Sequence, residues 1–114
     1  MASGLKNLSE YQTGAVPDAS GFKFAVVVSS YNEGITSRLL EACRETLLKH
    51  GAKEENITIK VVPGAYELIS GAHFMGLRHK PHVVITIGCV IKGETKHDEY
   101  INHAVAQGLV QLNL

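Results

Sequence analysis

Val83-Val84-Ile85-Thr86-Ile87-Gly88-Cys89-Val90-Ile91-Lys92-Gly93-Glu94-Thr95-Lys96-His97-Asp98-Glu99-Tyr100 is the stretch that decides the fold. Its first five residues are all β-branched, as in a parallel strand covered on both faces by helices. The run ends at Gly93-Glu94-Thr95. Beyond His97 an apolar set, Ile101, Ala104, Val105, Gly108 and Leu112, recurs with helical spacing. The segment therefore reads as strand, turn and helix, with the turn at the carboxyl end of the strand, where open α/β sheets bind their ligands.

The same unit occurs twice upstream. Residues 22–29 predict a first strand and residues 30–34 a turn into a helix, whose apolar stripe is Ile35, Leu39, Cys43 and Leu47, with Leu40 and Leu48 beside it. Gly51, after Lys49 and His50, predicts the end of that helix. Residues 57–62 predict a second strand, which Pro63-Gly64 breaks before Leu68, Ala72, Met75 and Gly76 outline a second helix. Three strand-helix units in series predict an α/β fold, a three-layer αβα sandwich on a central parallel sheet with right-handed crossovers. A sheet of three strands leaves at least one edge that would prefer a partner.

Residues 1–21 mix Ser, Gly, Asn, Gln, Asp and Pro with few apolar positions. They read as an N-terminal arm, disordered or packed on a neighbouring subunit, and leave 22–114 as a single α/β domain. With 114 residues, 45% of them hydrophobic and 19% charged, the chain can bury about two-thirds of its unfolded surface in one core. Eleven basic residues balance eleven acidic ones, and no basic stretch is interleaved with aromatics, which argues against nucleic-acid binding. No apolar run approaches the roughly 20 residues of a membrane span, and the start lacks the apolar core of a signal peptide, so the sequence reads as cytoplasmic with no membrane partner. Cys43 and Cys89 show no framework spacing, which points to a reducing compartment, and Cys89 reads as a small buried filler rather than a nucleophile.

In such a sheet the turns after the three strands meet along one edge and gather Ser30-Tyr31-Asn32, Pro63-Gly64-Ala65-Tyr66-Glu67 and residues 89–97 into one crevice. Tyr31 either offers an aromatic face to a planar heterocycle or packs at the rim. Glu67 either accepts hydrogen bonds from ligand hydroxyl or ring N–H groups or simply favours the helix macrodipole. Thr95 and Asp98 have the spacing of a capping box; a helix start with free N–H groups, a Thr hydroxyl and the nearby Lys92 also suits a phosphate. His97, in the first helical turn, is the best candidate for taking and returning a proton near neutral pH. His103 falls on another face of that helix, and no Cys, His or carboxylate set has zinc spacing, so no metal is expected.

Read together, the three turns closely resemble the lumazine synthase family of riboflavin biosynthesis. Ser30-Tyr31-Asn32-Glu33 looks like its aromatic-Asn turn, Val62-Pro63-Gly64-Ala65-Tyr66-Glu67 like its Pro-Gly-(Ala/Ser)-aromatic-Glu segment, and residues 88–100 like its Gly-x-Val-Ile-(Lys/Arg)-Gly-x-Thr-x-His-x-Glu-Tyr segment. The resemblance implies a flavodoxin-like strand order and condensation of 5-amino-6-(D-ribitylamino)uracil with 3,4-dihydroxy-2-butanone 4-phosphate, without metal or organic cofactor. It implies that Tyr31 stacks on the pyrimidine and that Ala65, Tyr66 and Glu67 hold the ribityl chain and ring. Cys89, Val90 and Ile91 would meet the pyrimidine edge through backbone groups, Glu94 and Thr95 would take the phosphate, and His97 would transfer protons. It further implies a homo-oligomer, a pentamer or a larger shell of pentamers, with sites between subunits. Ser30 stands where Arg is common, Tyr31 where Phe or Trp is usual, and Ile69 where Pro is usual. Family members continue into a fourth strand and further helices that carry a phosphate-binding Arg and a Phe for the neighbouring site, so the resemblance reads the chain as shortened at Leu114. The other reading is a non-catalytic flavin- or lumazine-binding or assembly subunit that keeps the pocket.

Overall fold

The computed structural model describes residues 10–114, and residues 1–9 of the expected arm lie outside them. Three strands, β1 (Phe24–Ser29), β2 (Ile57–Val62) and β3 (Val83–Ile87), alternate with three helices, α1 (Glu33–Lys49), α2 (Leu68–His79) and α3 (His97–Leu112). The sheet is wholly parallel with the order β2-β1-β3, the flavodoxin-like order. Because β2 and β3 flank β1 on opposite sides, right-handed crossovers place α1 and α2 on opposite faces. Two apolar clusters result. Ala25, Val27, Val62, Leu68 and Met75 pack on the α2 side. Val26, Val28 and Ile87 pack on the α1 side, with Leu40 and Cys43 against them.

Glycine sets how closely α2 approaches the sheet: a Cβ on Gly71 would stand 2.7 Å from Cγ1 of Val27 and 3.0 Å from Cγ1 of Val62. The third helix continues this layer by seating Gly108 against the Ile69 side chain. Gly51 ends α1 in the left-handed region, φ 98, as a helix-terminating glycine should. Residues 10–21 run beside that end. The Ala19 N–H donates to the His50 carbonyl at 2.9 Å, and the Tyr11 hydroxyl lies 2.9 Å from His50 Nε2. Hydrogen bonds from the Ser20 hydroxyl and N–H hold the exposed Asp18 carboxyl below its ordinary range.

Two sequence expectations need correction. The N-terminal part of the α1 stripe does not meet the sheet. Ile35 and Leu39 are exposed, while Thr36 is buried and Leu40 and Cys43 reach the core. A spacing of four residues advances about 40° per step on a helix of 3.6 residues per turn, so the stripe winds off the contact face toward its N-terminal end. Strand β3 is covered on both faces only in part, Val84 packing against the α2-side cluster and Ile85 against the α1-side cluster. Only its last residue, Ile87, is fully buried, because β3 has one strand neighbour and the continuously buried strand is β1. Burial pushes the Cys43 thiol above its ordinary range, in keeping with a packing role. No helix among the described residues is long and apolar enough to cross a membrane.

Candidate functional site

The parallel register sets Ser29 beside Val62 and Val28 beside Ile87, so the turns that follow the strands open on one edge. The first two are stitched together. The Ser30 N–H donates to the carbonyls of Val62 at 2.8 Å and Pro63 at 3.2 Å, and the Tyr31 N–H donates to Pro63 at 2.9 Å. The Ser30 hydroxyl adds a bond to the Pro63 carbonyl at 3.2 Å. Gly64 is extended, φ −137 and ψ −179, a conformation open to any residue. Space is what requires glycine there. A Cβ would lie 2.9 Å from Cδ2 and 3.1 Å from Cε2 of Tyr31, so the tyrosine ring rests on the Gly64 backbone while the side chain stays 66% exposed.

After Gly64 a 3-10 turn, Ala65–Glu67, leads into α2. The Glu67 carboxylate reaches back and its Oε1 accepts the Gly64 N–H at 2.9 Å, while the Glu67 N–H donates to the Gly64 carbonyl at 3.2 Å. One carboxylate oxygen, Oε1, is therefore structural, which leaves Oε2 outside that bond. Of the alternatives left open by sequence, the structure has Glu67 at the helix entry, and a second carboxylate oxygen remains as an acceptor.

The third turn is built differently. Helix α3 starts at His97 rather than at Gly93-Glu94-Thr95, and residues 88–96 form neither helix nor strand. Lys96 stands at the N-cap, with no side-chain cap bond. Thr95 is thereby one position too early to cap, and its hydroxyl only accepts the His97 N–H at 3.4 Å. The capping box with Asp98 does not form; Asp98 Oδ1 is buried without a hydrogen-bond partner. The turn is tied to the rest of the edge by the Asn32 side-chain amide, which donates to the Cys89 carbonyl at 3.1 Å.

These turns enclose a crevice of about 400 Å³. Tyr31, Ala65, Tyr66 and Glu67 line one side, Cys89, Val90 and Ile91 the other, and His97 closes one end from α3. Eight of the ten residues singled out by sequence thus meet around one space, a size suited to a small organic ligand. Glu94 and Thr95 are exposed on the coil beyond it and do not line it. Of the three further lining residues, Asn32 and Gly64 belong to turns that the sequence already gathers into the crevice, without a role of their own, and Ile101 does not. The detectable signal was Asn32, a residue type that tolerates left-handed backbone, at a helix entry. An apolar groove between α1 and β3, lined by Leu39, Cys43, Leu47 and Ile85, has a larger volume, about 560 Å³. It gathers no convergent polar groups, since the hydroxyl of Thr46 is already given to the Ala42 carbonyl at 2.8 Å. Among the described residues, no group of three or more His, Cys, Asp or Glu side chains is placed to hold a metal ion.

The sequence was compared with known proteins. The family model described as 6,7-dimethyl-8-ribityllumazine synthase matches residues 21–114. A protein of that name from Parabacteroides distasonis is 46% identical over the whole of this chain, which covers 71% of the relative. One from Phocaeicola vulgatus is 45% identical over 99% of this chain and 67% of the relative. One from Bacteroides fragilis is 52% identical over 80% of this chain and 64% of the relative.

Proposed function

From the chain's membership of the 6,7-dimethyl-8-ribityllumazine synthase family, we propose that its strand-end crevice condenses 5-amino-6-(D-ribitylamino)uracil with 3,4-dihydroxy-2-butanone 4-phosphate. The products are 6,7-dimethyl-8-ribityllumazine, inorganic phosphate and water. The observation that carries the reading is the convergence of Tyr31, Glu67, residues 89–91 and His97 on one crevice large enough for a bicyclic heterocycle.

Tyr31 offers the pyrimidine one ring face. Cys89, Val90 and Ile91 offer backbone donors and acceptors to the edge of the heterocycle. Ala65 and Tyr66 border the ribityl chain, and Glu67 Oε2 accepts from its hydroxyls. Imine formation, loss of phosphate, ring closure and dehydration each need a proton moved, which is the task of the His97 imidazole at the end of the crevice. Holding two substrates in register supplies much of the remaining rate. Glu94 and Thr95 stand on the coil next to Lys92, where the phosphate of the second substrate would be received. Relatives named as synthases favour this reading over a non-catalytic binding subunit.

In this proposal residues 22–114 form the catalytic domain behind an arm at 1–21, and the protein is cytoplasmic. Exposed Ile59 and Val61 on the outer strand β2, with Ile35 and Leu39 on α1, support a homo-oligomer, a pentamer or a larger shell. The test is a product assay with both substrates. Lumazine should form with the parent protein, and His97→Ala should slow turnover by about 10²-fold or more while substrate affinity changes little. A parent protein that binds the substrates without forming product would refute the catalytic reading; unchanged turnover in His97→Ala would remove the histidine from the mechanism.

A further inference from the structure

We infer that Asn32 is a positioning residue for this reaction: its amide hangs the third turn on the first and so sets the gap between the Tyr31 ring and the backbone of residues 89–91. The inference rests on the reading of the crevice given above. It starts from an asparagine that does not do what its place suggests. Asn32 is the N-cap of α1, where an Asn side chain ordinarily accepts a hydrogen bond from the helix's first free N–H groups. It makes no such bond. Its backbone instead lies in the left-handed region, φ 61 and ψ 46, one of only two non-glycine residues with positive φ among those described.

That conformation aims the side chain across the crevice. The amide nitrogen stops 3.1 Å from the Cys89 carbonyl, a residue 57 positions away in sequence. Asn32 follows Tyr31 directly, and Tyr31 is already fixed from behind by its N–H bond to Pro63 and by the Gly64 backbone under its ring. One wall of the crevice is thus immobilised on β1 and β2, and the asparagine amide is the rung from that wall to the other. Spacing set before the ligand arrives spares the ligand the cost of ordering the coil. Only a donor serves here, because the partner is a carbonyl oxygen.

The test uses two substitutions that keep the left-handed backbone accessible. Asn32→Gly removes the amide, and Asn32→Asp keeps the shape but turns a carboxylate toward the Cys89 carbonyl. Each should raise the KM for the pyrimidine substrate about five- to tenfold, the worth of one hydrogen bond, and leave the KM for the butanone phosphate within about twofold. Both KM values rising together, or neither changing by more than about twofold, overturns the positioning role. A ligand-free measurement decides the bridge separately. Backbone amide order parameters across residues 88–96 should fall in Asn32→Gly toward about 0.6, the flexible range, while β1 and β2 keep their parent values. Unchanged order parameters refute the bridge. A parent protein that makes no lumazine counts instead against the reading of the crevice, and the ligand-free result still stands on its own.

Discussion

The two walls of the crevice are attached to the sheet in different ways. The turns after β1 and β2 share four hydrogen bonds at 2.8 to 3.2 Å, and two more close Gly64 onto Glu67. The coil after β3 is joined to them by one side-chain bond, from Asn32 to Cys89. The cause lies in the topology. Both outer strands pair with β1, but the β1–β2 register runs on to Ser29 and Val62, so their turns continue side by side, whereas the β1–β3 register stops at Val28 and Ile87. The wall that would hold the planar, ring-bearing substrate is therefore built before binding, and the segment that would receive the flexible phosphate ester is left to close upon it.

Hydrogen exchange is the most sensitive way to break this contrast. The N–H groups of Ser30, Tyr31 and Gly64 all donate within the stitched wall, while among the described residues no backbone N–H of 91–96 donates a hydrogen bond. Exchange at the three bonded amides should be slower than in 91–96 by about a hundredfold, once corrected for intrinsic rates. Saturating lumazine should then slow 91–96 far more than it slows the first wall. Equal protection of both walls in the free protein would end the contrast.

How much of this was legible in the sequence follows from the same topology. The continuous run of β1, the α2 face at Leu68, Ala72 and Met75, and the stop at Gly51 depend on local pattern, and the structure has them. That the candidate residues at the strand ends share one crevice was legible because the order of elements alone fixes which turns share an edge. Edge position was not, since Val83 to Ile87 carries the same β-branched composition a central strand would. The start of α3 was misread because Thr95 and Asp98 imitate a capping box, and only the backbone at Lys96 shows that the helix begins later. Two site features depend on contacts between distant segments that no local pattern encodes: the space Tyr31 needs above Gly64, and the reach of Asn32 to Cys89.

The built wall is tested next by removing or displacing its ring. Tyr31→Ala should weaken lumazine binding about ten- to a hundredfold, as loss of an aromatic stacking partner does for nucleobases. Tyr31 is largely exposed, so the thermal midpoint should hardly move. Gly64→Ala acts on the same ring without touching it chemically. The new methyl would need the space 2.9 Å from Tyr31 Cδ2, and the exposed ring can give way by swinging outward. Affinity should fall by about tenfold, roughly 1.4 kcal/mol, with little loss of stability. Full affinity in Gly64→Ala would mean that the resting place of the ring is not what the ligand uses.

Thr95→Ala gives the smallest effect and bears on the loose wall. The Thr95 hydroxyl accepts the His97 N–H at 3.4 Å on an exposed coil, a long bond whose loss should cost no more than about 0.5 kcal/mol. The thermal midpoint should fall by about 2 to 4 °C at most. If the coil closes on the phosphate, the KM for the butanone phosphate rises about three- to fivefold, and the KM for the pyrimidine stays at its parent value because Thr95 does not line the crevice. The opposite pattern, with the pyrimidine KM moving alone, would assign Thr95 to the placement of His97 and leave the phosphate to other residues. The two walls would then divide the substrates differently, since the adjoining His97 N–H is the only group the hydroxyl is seen to hold.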